Sequence, residues 1–155
     1  MVIFNRMKKF TFLLSLVLFV QLTNAQEEQK VAAVVNRLFS SMFNGDSIGV
    51  RSCFSDKAIM QSIGFDKSGN TVVQTGSLDA FSSYIGKQTK GAADERIKME
   101  SIKIDGDMAI VWTPYQFYYQ EKFSHCGVNT FTLVRHKGEW KINYLIDTRR
   151  KENCN

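Results

Sequence analysis

The sequence predicts an α+β domain in which a curved antiparallel sheet wraps around one long helix. Three observations carry that prediction. Glu27 to Asn44 repeats apolar residues with the helical period. From Lys57 onward the apolar and β-branched runs are short and separated by turn formers. The helical segments come early and are not interleaved one for one with strands, which disfavours a parallel sheet and favours helices packed on one face of an antiparallel one.

The first 25 residues are expected to lie outside the fold. Arg6, Lys8 and Lys9 precede an apolar run from Phe10 to Leu22, and Thr23-Asn24-Ala25 supplies small residues for a signal peptidase. The run falls short of the ~20 apolar residues of a membrane span. This reads as a signal peptide cleaved after Ala25, with export to a periplasmic or extracellular compartment and no membrane attachment afterwards. Residues 26–155 form one domain. Three of the 20 basic residues and none of the 15 acids lie in the leader, so the formal charge of +5 falls to +2. The broad basic face of a nucleic-acid binder is not expected.

The first helix, Glu27 to Asn44, turns Val31, Val34, Val35, Leu38, Phe39, Met42 and Phe43 inward. Asn44-Gly45 ends it. Asp46 or Ser47 caps a second helix through about Phe54, weakened by Gly49. A strand from Lys57 to Gly64 turns at Asp66–Asn70 into Thr71–Thr75. Ser77 caps a third helix through about Lys87, with Leu78, Phe81, Tyr84 and Ile85 on its inner face. Glu95–Ile104 then forms a strand with Ile97, Met99 and Ser101 on one side and Arg96, Lys98 and Glu100 on the other. Met108–Tyr119 is a long strand holding the single proline, Pro114, which marks an edge or a bulge. The final hairpin runs from Ser124 to Arg135, turns at His136-Lys137-Gly138 and returns along Glu139–Asp147, where Trp140, Ile142, Tyr144 and Ile146 share a side.

Three cysteines remain after the leader. In a hairpin turning at Lys137-Gly138, Cys126 lies opposite about Arg149, so Cys154 can fold back and bond to it. Cys53 is then a free, buried thiol. The sharper alternative, Cys126 as a nucleophile beside His125, meets the difficulty that adjacent strand residues point to opposite faces. No cysteine or histidine spacing suggests a metal, and no cofactor is expected.

This order of elements, with Trp140-Lys141-Ile142 in the last strand, resembles the nuclear transport factor 2-like superfamily. A narrower likeness, carried by Val111–Tyr115, His125–Asn129 and Asp147-Thr148-Arg149-Arg150, is to its exported bacterial lumazine-binding, SnoaL-like branch. The resemblance implies a cone-shaped barrel with a pocket in its mouth, and a homodimer through the sheet. It does not imply one activity, because the fold hosts enzymes and non-enzymes alike. The isomerase of the superfamily needs an aspartate base in the first strand and a tyrosine on the long helix, and neither is present. Pocket candidates are Trp112, Tyr115, His125, Asn129, Tyr144, Asp147 and Arg149. His125 either acts as acid or base, oriented by Asp147 or Tyr115, or shapes a strand entry. Asp147 and Arg149 either form an anion site or pin the chain's end. The expectation is a binder of a small apolar or aromatic ligand without assigned catalysis. A lyase- or isomerase-type enzyme using His125 and a homodimeric interaction module are the alternatives.

Overall fold

The computed structural model describes residues 24–154. Residues 1–23 of the expected leader lie outside the described residues; Asn24, Ala25 and the expected cleavage point between Ala25 and Gln26 lie inside them. Asn24 and Ala25 already belong to helix α1, residues 24–44. Val31, Val35, Leu38, Phe39 and Met42 form its buried stripe. Gly45 takes φ +68°, and the N–H of Asp46 reaches back to the Ser41 carbonyl at 2.8 Å, a helix stop that a left-handed glycine makes possible.

Helix α2 (Ser47–Ser52) is capped by Asp46, whose carboxylate accepts from the Gly49 N–H at 2.8 Å. It ends before Phe54 because the sheet takes the chain over: the Cys53 carbonyl accepts from the Ile142 N–H at 2.8 Å. Strand β1 (Phe54–Phe65) therefore begins earlier than its sequence pattern suggested. It turns through Asp66, whose carboxylate accepts the Ser68 and Asn70 N–H groups, into β2 (Thr71–Gly76). Helix α3 (Leu78–Ile85) is capped by Ser77. Its inner face holds Leu78, Phe81, Ser82 and Ile85, whereas Tyr84, expected there, is 47% exposed.

The remaining strands are β3 (Ala93–Ile97), β4 (Ser101–Asp105), β5 (Met108–Tyr119), β6 (Lys122–His136) and β7 (Glu139–Thr148). The single strand expected over residues 95–104 is two. Pro114 is the cause: its carbonyl accepts from the Lys98 N–H at 2.9 Å, but it has no N–H to return. Residues 98–100 leave the ladder there, and β3 and β4 pair with the two halves of β5. The tip between β6 and β7 is a two-residue turn with Lys137 and Gly138 both at positive φ, which suits the twist of a tight hairpin.

The sheet order is β2-β1-β7-β6-β5-β3, with β4 also on β5. It curves around α1 without closing. All pairs are antiparallel except β1 with β7, a parallel pair that the sequence reading did not foresee. The core lies in the hollow, where α1 meets Ala109, Val111, Phe131, Leu133, Trp140 and Ile142. Phe39 meets the Phe131 ring edge-on at 6.0 Å. Glu27 ties the start of α1 to the last hairpin by accepting from Trp140 Nε1 at 3.0 Å and from Arg135 at 2.9 Å.

Candidate functional site

Two one-residue irregularities decide what faces the hollow. Between β6 and β7 the register shifts at Asn143, so Thr132 pairs Tyr144 while Leu133 pairs Ile142. A one-residue slip exchanges the two faces of a strand. Trp140 and Ile142 point inward, but beyond the bulge Leu145 and Asp147 do. The expectation that Tyr144 and Ile146 share the side of Trp140 is thereby corrected. The second shift lies at Ser124, between the pairs Phe117–His125 and Tyr118–Phe123. It leaves His125 inward and Phe123 outward.

The inward residues enclose a cavity of about 230 Å³. One wall is apolar, made by Leu38, Phe39 and Met42 of α1, Phe81 of α3, Met60 and Leu145. The other is polar: Ser62, Glu95, Tyr115, His125, Asn129, Asp147 and Arg149. Of the seven pocket candidates, five meet here. Trp112 does not, because β5 alternates and turns Val111, Thr113 and Tyr115 inward while Trp112 is 43% exposed on the outer face. Tyr144 does not either; its hydroxyl donates to Gln61 Oε1 at 2.6 Å.

Asp147 is the hub of the polar wall. Oδ1 accepts from the Ser62 hydroxyl. Oδ2 accepts from Arg149 Nε at 2.8 Å and from the Tyr115 hydroxyl at 3.1 Å. Arg149 also donates to Ser62 Oγ at 3.1 Å, and the Tyr115 hydroxyl lies 2.9 Å from the Thr148 carbonyl. Burial, and then the charges of Asp147 and Glu95, push the Tyr115 phenol up, so it stays a neutral donor. Gly127 makes this closeness possible: a Cβ there would lie 1.8 Å from the Thr148 carbonyl oxygen and 2.8 Å from the Tyr115 ring.

His125 packs edge-on to Tyr115 at 5.7 Å and against Phe117 at 5.1 Å. Burial, and then Arg149, lower its pKa from the ordinary 6.5, so the imidazole is mostly neutral at pH 7. Its Nδ1 meets Ser124 Oγ at 3.0 Å, not Asp147 or Tyr115, which corrects the expected orienting partner.

The residue that sequence reasoning missed is Glu95. Its carboxylate accepts from Asn129 Nδ2 at 2.8 Å. The residue is half-buried and lines the cavity. Burial, opposed by the Asn129 bond and reinforced by the charge of Asp147, raises its pKa to about 7. The signal was present: Ile97 and Met99 mark the inner side of the strand, and Glu95 stands two residues before Ile97.

Cys126 and Cys154 are bonded, with Cα atoms 5.7 Å apart, and Cys126 pairs Arg150 rather than Arg149 because the Asn143 bulge shifts the register by one. Cys53 is free and buried, and burial raises its thiol pKa. Among the described residues no cluster of three His, Cys, Asp or Glu is placed to hold a metal, and no helix is long and apolar enough to cross a membrane.

Residues 26–144 match the family described as "Putative lumazine-binding", and the chain belongs to it. Its fold is that of the nuclear transport factor 2-like proteins. A protein of unknown function from Shewanella baltica is 16% identical, with 83% of this chain and 97% of that one covered and a TM-score of 0.64. One from Silicibacter pomeroyi is 19% identical over 82% and 98%, with a TM-score of 0.64. A protein with a cystatin-like fold from Novosphingobium aromaticivorans is 14% identical over 88% and 90%, with a TM-score of 0.65. No curated protein matches.

Proposed function

We propose that the protein binds a small molecule in the hollow of its sheet. The observation that carries this reading is the division of the cavity lining into an apolar part, mostly from the helices with Met60 and Leu145, and a polar part from the strands. That is how ligand sites combine affinity with orientation. At about 230 Å³ the cavity is smaller than the ~300–1,000 Å³ of drug-sized pockets, which suits a single flat ring with a polar group. The family's description, "Putative lumazine-binding", names a flat heterocycle, one ring larger than that. Native mass spectrometry of the protein from its own host tests the reading. A small mass lost on denaturation is expected, and an empty protein that also fails to bind a metabolite mixture would remove it.

A second reading rests on the outer face of the sheet. Met108, Ile110 and Trp112 of β5 and Ile59 of β1 are all large, apolar and exposed. Ile110 and Ile59 lie in one row across the sheet with Thr132 and Tyr144. We propose that this face pairs two copies of the chain. Sedimentation should then show a dimer that Trp112→Glu dissociates; a monomeric wild type at ~100 μM, where even weak specific interfaces are occupied, would remove it. Export belongs to the same proposal. The Cys126–Cys154 bond supports it, because disulfides persist in oxidising compartments. N-terminal sequencing of the exported fraction should begin at Gln26.

A further inference from the structure

Asp147 is ion-paired to Arg149 at 2.8 Å, whereas Glu95, which feels that cation only from a distance, is in no ion pair. Among the described residues, the one lysine or arginine in the cavity lining is Arg149, held on Asp147 and Ser62. Glu95 is held by a neutral amide alone, that of Asn129. Asp147 and Arg149 approach from the end of β7, Tyr115 from β5, and Asn129 and His125 from β6. Glu95, Phe117 and His125 form one row across three strands. From the helices come only Leu38, Phe39, Met42 and Phe81. Its strand neighbours Asp94 and Arg96 are bonded to each other at 2.8 Å and leave it alone.

A carboxylate withdrawn from water without an ion-pair partner is costly as an anion, and it either takes up a proton or acquires a cation. The cavity offers space for the second, and an apolar surface opposite. We infer that the cavity selects a small organic cation, an ammonium or amidinium on a flat apolar body, with its charged head on Glu95 and its body against Leu38, Phe39, Met42 and Phe81. This rests on the small-molecule reading above and names its ligand class. The raised pKa of Glu95, about 7, fits the same picture, since such a group exchanges its proton for a ligand cation near neutrality.

The test uses three probes of one shape and different charge: benzamidine, benzamide and benzoate. Binding to the oxidised full-length protein is followed by ligand-observed NMR and by calorimetry at pH 6 and pH 8. Benzamidine should bind at least about tenfold more tightly than either analogue, as a charge-assisted contact requires. Its binding should strengthen from pH 6 to pH 8 and release protons to the buffer. Glu95→Gln should lose roughly tenfold in benzamidine affinity and abolish the pH slope. Burial holds the His125 pKa below 6.5, and a pH slope that survives in Glu95→Gln overturns the assignment to Glu95. Equal or tighter binding of benzamide or benzoate overturns the cation class while leaving the cavity reading in place. Binding of none of the three, by a protein that also holds nothing from its host, overturns both. If Glu95→Gln does not fold, the sign of the wild-type pH slope decides, because a neutral acceptor ligand would bind less well at pH 8.

Discussion

Two carboxylates share one cavity and differ in everything that surrounds them. Asp147 is bonded to a serine, a tyrosine and an arginine, so its charge is balanced and its position fixed. Glu95 has one amide partner and no ion-pair partner of its own, and feels Arg149 only from a distance. A group saturated by its own protein has little left to offer a ligand. A group left short is costly to the fold and available to a visitor. The difference teaches that the Asp147 cluster is saturated within the fold, despite being the part of the wall that looks most like chemistry, and that Glu95 is the group the proposed recognition rests on.

Substitutions can break or sharpen this contrast. The largest loss is expected at Gly127. Gly127→Ala forces a methyl into the Thr148 carbonyl and should cost more than ~3 kcal/mol in denaturant unfolding, at the upper end for overpacking. Asp147→Ala removes the ion pair of Arg149 and one acceptor of the Tyr115 hydroxyl, leaving them Ser62 Oγ and the Thr148 carbonyl, and a loss of about 2–4 kcal/mol is expected. Replacing Cys126 and Cys154 together by serine opens a loop of 28 residues and should lower the unfolding free energy by about 2–4 kcal/mol. Glu95→Gln should go the other way. The folded state raises the Glu95 pKa from 4.5 to about 7, so it holds more protons than the unfolded chain between those values. Stability therefore falls as pH rises through that window, and the full cost stands above about pH 7. The glutamine variant should be more stable at pH 8 by on the order of 1–3 kcal/mol, nearly unchanged at pH 4, and flatter between. If Glu95→Gln and Asp147→Ala destabilise alike at pH 8, the contrast between the two carboxylates is wrong.

Much of the fold was legible because it depends on patterns longer than a residue. The stripe from Val31 to Met42, the Gly45 stop, the Ser77 cap and the Met108–Tyr119 strand are written as repeats or as residue types with one role. The site was less legible because it depends on single-residue offsets. Nothing in Lys141-Ile142-Asn143-Tyr144 announces that Asn143 is the extra residue, and yet that offset brings Asp147 inward and sends Tyr144 outward. Trp112 was misplaced for a different reason: a large aromatic suggests burial, whereas strict alternation from Val111 places it outside. Glu95 was missed because a carboxylate in a strand reads as solvent-facing until its neighbours' periodicity is followed through it.

Pro114 has a consequence beyond the path of the chain. An open sheet ends in two strands with unpaired backbone groups, and such edges invite a second molecule to add itself. Here one edge is β2, only six residues long. The other is the β3–β4 side, which Pro114 breaks into two five-residue pieces. Neither offers a long straight template. A broken edge is a poor template for fibre growth, so a chain with an N–H at position 114 and a continuous outer strand should aggregate more readily on heating.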